Sequence, residues 1–218
     1  MSYTLFNADC LSLTDLPKVH AVVSDPPYGS ANRCDYTRFT TGNKGAGFAK
    51  AKNKTWAPVI GDDQPFDPSP WLKYPKVALW GYQHFANKLP PGAVLVWVKK
   101  RDSQLGYFTS DAELCWTNHG LGCWVHQHTW YGLDREGERG PSLHPTQKSV
   151  EVMKWVMGRL GLKPGQTVYD PYMGSGTTGV AAAELGLHFV GAELVKDYYD
   201  VAESRIAAAY NSCAAPAA

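Results

Sequence analysis

Gln166-Thr-Val-Tyr-Asp170, Pro171-Tyr-Met-Gly-Ser-Gly-Thr-Thr178 and Gly179-Val-Ala-Ala-Ala-Glu-Leu185 decide how this chain folds. The first reads as a short buried strand, the second as a glycine turn and the third as a helix. That order presents helix N-terminal N–H groups to a ligand. His188-Phe-Val-Gly-Ala-Glu193 follows as a second strand ending in an acid. Glu193 lies near the spacing at which a carboxylate meets ribose hydroxyls in nucleotide-type sites, so the ordered set points to a nucleoside-like cofactor. Thr177 and Thr178 follow Gly174-Ser-Gly176, while Gly179 stands at the distance of a third glycine, so the glycines alone do not exclude NAD.

Outward from this unit, strands are expected at about 3–7, 20–24, 76–80, 93–98, 112–117, 123–130, 166–170 and 188–193. Helices are expected near 68–73, 81–89, 147–161, 176–186 and 196–210, with Asp67 capping the first and Pro68 at its first position. The Ala-rich tail after 210 is expected to fray. The alternation predicts an α/β fold, a Rossmann-like, mainly parallel sheet covered by helices on both faces. Ligands on such sheets sit beyond the carboxyl ends of the strands, where Asp25 and Asp170 both fall. One domain over 1–218 is expected, without internal repeat or linker.

Asp25-Pro-Pro-Tyr28, after the apolar run His20-Ala-Val-Val-Ser24, argues against hydride transfer. Two consecutive prolines fix a turn whose carbonyls are free for a ligand, because proline has no N–H and holds the preceding residue extended. An exocyclic amine on adenine or cytosine delocalises its lone pair into the ring. It attacks a methyl donor only when its hydrogens are held and the nitrogen is drawn towards tetrahedral geometry. Asp25 and the Pro26 carbonyl can accept those hydrogens, Pro27 stiffens the turn, and Tyr28 can stack on the base. A plain strand-ending turn uses the same residue types.

In sequence order, Asp25-Pro-Pro-Tyr28, His144-Pro-Thr-Gln-Lys148 and Asp170-Pro-Tyr-Met-Gly-Ser-Gly-Thr-Thr178 resemble the amino-methylating, S-adenosylmethionine-dependent DNA methyltransferases in their permuted beta arrangement. The resemblance covers nearly the whole chain. It implies that Asp9 and Cys10 meet the cofactor adenine and Glu193 the ribose hydroxyls. Asp170, Pro171, Tyr172, Gly174, Ser175, Gly176, Thr177 and Thr178, with Thr146, would hold the methionine end. Asp25 would lie near both the cofactor and the target amine. Proline usually follows the His-Pro-Thr-Gln-Lys motif in that family, whereas here Ser149 does, a mild change in helix entry.

The resemblance implies N6-adenine in DNA as the target, since Asp at the first motif position is the usual adenine choice. Cytosine-N4 methylation, RNA adenine methylation and a non-catalytic nucleic-acid-binding module are the alternatives. A base inside a duplex has to flip out to reach such a site. Between residues 33 and 54, Arg33, Arg38, Lys44, Lys50, Lys52 and Lys54 face a single acid, Asp35, in a glycine-containing stretch. That basic loop, 30–60, reads as a phosphate contact. The segment 118–143 is too short for a separate recognition domain, so a short or permissive target sequence is expected. Trp124-Val-His-Gln-His-Thr-Trp-Tyr131 reads as core and sheet face more than as a base platform.

At 218 residues, 44% hydrophobic and 19% charged, the chain has an ordinary globular composition, and its net charge of +1 does not by itself call for nucleic acid. No apolar run is long enough to span a membrane, and the start lacks a signal peptide's regions, so a cytoplasmic protein is expected. The resemblance implies a compact modification enzyme of phage or bacterial type, expected as a monomer or homodimer. Five cysteines, Cys10, Cys34, Cys115, Cys123 and Cys213, have no Cys-x-x-Cys spacing and point to neither zinc nor a disulfide framework. His126 and His128 share a strand face without a third nearby ligand, and no metal is expected.

Overall fold

The computed structural model describes residues 1–29, 60–106, 110–131, 134–138 and 147–214. Thr146, Cys34 and the six basic residues from Arg33 to Lys54 lie outside them.

Ten strands are described: β1 (Tyr3–Phe6), β2 (Ala21–Ser24), β3 (Val77–Trp80), β4 (Ala93–Val98), β5 (Ala112–Thr117), β6 (Gly122–Gln127), β7 (Trp130–Tyr131), β8 (Asp134–Arg135), β9 (Thr167–Asp170) and β10 (His188–Ala192). Eight of them form one sheet in the order β1-β10-β9-β2-β3-β5-β4-β6, and β7 and β8 form a separate hairpin. Neighbours from β1 to β3 pair in parallel. β5 runs antiparallel to both β3 and β4, and β6 returns parallel to β4. The expected Rossmann-like sheet is therefore present, with one reversed strand. β2 and β3 are buried at every position, as strands covered on both faces must be.

The carboxyl ends of β1, β10, β9, β2 and β3 share one edge. The amino end of the reversed β5 arrives at that edge too, which brings Glu113 to it. Chain order reverses between β9 and β2, the crevice at which open α/β sheets bind ligands.

The two faces are covered unequally. α2 (Val150–Arg159), α3 (Thr177–Glu184) and α4 (Lys196–Ala214) bury one face around Trp80, Trp97, Met153, Met157 and Phe189. α3 packs tightly because its inner surface is small: a Cβ at Gly179 would come within 2.6 Å of Ile206. The other face is closed by the four-residue α1 (Tyr82–Phe85), turns, and the side chains Phe66, Trp71 and Phe85.

Several boundaries differ from the sequence expectation. Residues 68–73 form turns, not a helix. Asp67 does accept the Ser69 N–H at 3.0 Å, and Leu72 N bonds Pro68 O at 3.3 Å. Pro75 stops propagation, since the residue before a proline resists helical geometry. The helix expected at 81–89 is α1 followed by a 3₁₀ turn, Ala86–Lys88. The strand expected at 123–130 ends at Gln127 and its tail joins the hairpin. α4 runs past residue 210 to Ala214, further than the fraying expected of that tail.

Candidate functional site

An open cleft of about 820 Å³, mouth included, lies along the carboxyl edge of the sheet. Asp9, Cys10, Asp25, Pro26, Pro27, Tyr28, Pro171, Tyr172, Gly174 and Glu193 all line it. Sequence reasoning singled out each of these, from four separate stretches of chain. Thr146 and the basic residues 33–54 fall outside the described residues.

The wall built by β1, β9 and β10 is stabilised from within. Glu193, one residue past β10, accepts Gly174 N at 3.0 Å and Val195 N at 2.8 Å. Burial raises its carboxyl above the ordinary range against those donors. Asn7 ties β1 to the same corner by donating to the Glu193 carbonyl at 2.9 Å. Asp9 accepts Leu11 N at 2.9 Å and opens the 3₁₀ turn that carries buried Cys10. Burial lifts the Cys10 thiol to about 11, so it stays protonated.

Asp170, Ser175, Gly176, Thr177 and Thr178 stand behind this wall instead of on it. Asp170 accepts Ser24 Oγ at 2.5 Å, Thr178 Oγ1 at 2.5 Å and Tyr172 N at 3.0 Å, so it couples β2, β9 and α3. Desolvation pushes its carboxyl up to about 6 despite those bonds. Arg205 of α4 donates to Ser175 O at 2.5 Å and Thr177 Oγ1 at 3.3 Å. Gly176, at φ 80°, caps α3 in the left-handed region, and a Cβ there would come within 3.0 Å of Ala202.

At the other wall, the Asp25-Pro-Pro-Tyr28 turn leaves β2. Asp25 Oδ2 accepts Lys148 Nζ at 2.5 Å, while Oδ1 is buried with no hydrogen-bond partner among the described residues. Lys148 also meets Glu113 Oε2 at 3.0 Å, and Glu113 Oε1 meets Lys99 Nζ at 2.8 Å. Burial raises the Asp25 carboxyl, and Lys148 opposes that rise. Burial works the same way on Glu113, but Lys148 and Lys99 together overcome it and hold that carboxyl near 2. Tyr28 stacks on His84 of α1, ring centroids 4.4 Å apart and planes 7° from parallel. Asp62 accepts the backbone N–H of Gly29 at 3.1 Å and fixes the exit of the turn. Gly81 (φ 81°) makes room for Tyr28, since a Cβ there would lie 2.4 Å from the ring.

Sequence reasoning missed Lys148 as a partner of Asp25, together with Glu113, Asp62, His84 and Gly81. Lys148 was visible at the end of the His144–Lys148 motif. Glu113 becomes a neighbour only once the reversed strand is placed. The Ser149 hydroxyl, at the head of α2, meets His128 Nε2 at 2.8 Å, and Glu138 accepts Val150 N at 2.6 Å. His126 and His128 do share a face, with rings 6.1 Å apart, and His126 stacks on Trp155 at 5.0 Å, so both pack against α2.

A permuted Rossmann-like sheet with an Asp-Pro-Pro-Tyr turn and an acid-ended strand at one cleft defines the methyltransferase class of fold. Residues 116–204 match the N6/N4 family model described as DNA methylase. Over 115 residues the chain is 30% identical to the Type II methyltransferase M2.DpnII of Streptococcus pneumoniae, which is 52% of this chain and 41% of that protein. It is 29% identical to M2.LlaDCHI of Lactococcus lactis subsp. cremoris over 51% of this chain and 40% of that protein. The chain thus spans about two fifths of these curated relatives' length. Among solved structures, the M1.HpyAVI–SAM complex superposes with a TM-score of 0.53 at 19% identity, covering 93% of this chain and 99% of that one. The cytosine-N4-specific PvuII DNA methyltransferase gives 0.54 at 12% identity, covering 98% and 93%. These structural likenesses confirm the fold. With the family match and the curated relatives, they bear out the resemblance to the DNA amino-methyltransferases. Among the described residues no helix is long and apolar enough to cross a membrane.

Proposed function

We propose that the protein transfers the methyl group of S-adenosylmethionine to the N6 amine of adenine in DNA, with the base flipped into the cleft beside Asp25. The observation that carries this reading is the convergence on one cleft of Asp9, Glu193 and the Asp25–Tyr28 turn, with a buried Asp25 oxygen that has no donor among the described residues. An unpaired buried acceptor costs about 1–3 kcal/mol, which a donor supplied by a ligand recovers. The residues fit the cofactor. Glu193, held by two backbone donors, keeps lone pairs for ribose hydroxyls, and Cys10 and Tyr172 offer an apolar slot for adenine. The cofactor supplies a methyl group on a sulfonium; as the amine nitrogen's lone pair forms the N–C bond, the C–S bond breaks and its electron pair leaves with sulfur. Asp25 and the Pro26 carbonyl hold the two amine hydrogens and draw the nitrogen out of conjugation. One of those protons then leaves the methylated amine through Asp25 to solvent, restoring a neutral secondary amine. Tyr28, braced on His84, offers its other face to the base.

In this reading the whole chain acts as one domain. Residues 30–60, with Arg33, Arg38, Lys44, Lys50, Lys52 and Lys54, contact phosphate, and 118–143 reads a short target. Replacing Lys50, Lys52 and Lys54 should flatten the log–log salt dependence of DNA binding by about 0.9 per lost contact. Cytosine-N4 methylation is the second reading, favoured by the likeness to the PvuII fold. The deciding experiment is mass spectrometry of nucleosides from unmethylated plasmid DNA incubated with protein and S-adenosylmethionine, with Asp25→Ala as control. N6-methyladenine absent with the variant supports the proposal. N4-methylcytosine reverses the base, and no methylated base overturns the reading.

A further inference from the structure

Asp25 is held by charges that its own motif does not supply. Lys148 comes from the segment before α2, Glu113 from the reversed strand β5 and Lys99 from just beyond β4. The four side chains alternate in sign, Asp25, Lys148, Glu113, Lys99, at successive separations of 2.5, 3.0 and 2.8 Å. Lys148 is 7% exposed and lies over the Trp80 ring, 5.7 Å from its centroid, so it has little water to solvate it. Burying such a chain is costly, and replacing paired charges by apolar residues is often neutral or stabilising. A stability role alone therefore gives poor reason for this arrangement beside a reactive carboxylate.

We propose that Lys148, itself anchored by Glu113, is a positioning residue for methyl transfer that holds Asp25 by Oδ2, leaving Oδ1 as the acceptor for the target amine. This rests on the methyl-transfer reading above. The mechanism needs Asp25 as an anion, because a protonated carboxyl turns one acceptor into a donor and repels the amine hydrogens. Several groups face Asp25. Glu113 and Asp62 raise its carboxyl by like charge and Lys148 lowers it. Tyr28, Cys115 and buried Asp170 feel its charge in turn. Lys148 is the one cation in direct contact with it among the described residues.

The two partners of the clamp consequently have opposite signs. Loss of the Lys148 charge raises the Asp25 titration, so activity fails at higher pH as the medium is acidified. Loss of the Glu113 charge lowers it, and activity persists to lower pH.

The test compares wild type, Lys148→Met, Lys148→Arg and Glu113→Gln by two readouts. The first is the carboxyl carbon resonance of Asp25, assigned with Asp25→Asn and followed against pH by NMR without substrate. The second is the acidic limb of kcat for methylation of plasmid DNA. The Asp25 midpoint should rise by about one pH unit or more in Lys148→Met, return towards wild type in Lys148→Arg, and fall in Glu113→Gln. The limb of kcat should follow in each case. Midpoints that do not move, or move together in Lys148→Met and Glu113→Gln, overturn the proposal. If Lys148→Met does not fold, judged by circular dichroism, the downward shift in Glu113→Gln decides. A wild type that methylates no DNA overturns the functional reading, whereas the NMR midpoints test the clamp regardless.

Discussion

The two walls of the cleft are built in different ways. On the wall formed by β1, β9 and β10, and just behind it, every acid has its donors, most of them from the same local unit. Glu193 takes backbone donors from Gly174 and Val195, Asp9 takes Leu11 N, and Asp170, behind the wall, takes Tyr172 N and Thr178 Oγ1 with Ser24 Oγ reaching across from β2. On the transfer wall, Asp25 has one oxygen held by a lysine distant in sequence and the other with no donor among the described residues. The first wall is closed before a ligand arrives and the second is completed by one. Substitutions on the first should therefore weaken binding or stability, and those on the second should weaken turnover.

The largest effect should come from Asp25→Ala. Loss of a positioned acceptor in the transition state costs about 10²–10³ in kcat, while the cofactor Kd should change by no more than about threefold. Single-turnover kinetics beside calorimetric titration of S-adenosylmethionine would measure both. Equal losses in the two would erase the distinction between the walls.

Asp170 offers a stability test of the closed wall. Its carboxyl is raised from 3.8 to about 6, so the folded state binds its proton more tightly than the unfolded chain does. That contribution is fully present below about pH 4 and is lost as pH rises through about 6, a change of up to about 3 kcal/mol. The stability of wild type minus that of Asp170→Asn should fall across that window in urea titrations. A flat difference would mean that the three hydrogen bonds cancel the cost of burial. Glu193→Gln should act next in size, raising the cofactor Kd about tenfold with little change in kcat at saturation. An amide can accept on one side only, so Gly174 N and Val195 N cannot both keep their partner.

The same contrast sorts what was legible in the sequence. The closed wall is local: Asp170, the glycine turn and Glu193 lie within one strand–turn–helix–strand unit, so spacing exposed them. The Asp25–Tyr28 turn was legible because its residue types are chemically unusual together. The clamp was not, because Glu113 reaches Asp25 only after β5 inserts antiparallel between β3 and β4, and no spacing rule carries that information. His84 and Gly81 escaped for a similar reason, since stacking beside Tyr28 depends on where β3 ends. The helix expected at 68–73 and not formed is a failure of a different kind. The cap was read correctly, and Pro75 made the segment too short to pass beyond its nucleating turn.

The smallest effect concerns the joint that carries Lys148 into the transfer wall. Ser149 sits at the N-cap position of α2 with extended backbone (φ −78°, ψ 142°), yet its hydroxyl meets His128 Nε2 and does not cap its own helix. Ser149→Ala leaves that buried ring nitrogen unpaired and should cost about 1–2 kcal/mol, a fall in Tm of roughly 2–8 °C. Ser149→Pro loses the same hydroxyl, but the native φ suits proline, and restricting the unfolded chain returns about 0.4–1 kcal/mol. Proline should therefore be the milder replacement, even though alanine is the smaller change. Scanning calorimetry of both variants reads the order directly. If proline proves the more harmful, the backbone entering α2 is under tension from Lys148, and the transfer wall is held by the chain itself as well as by its charges.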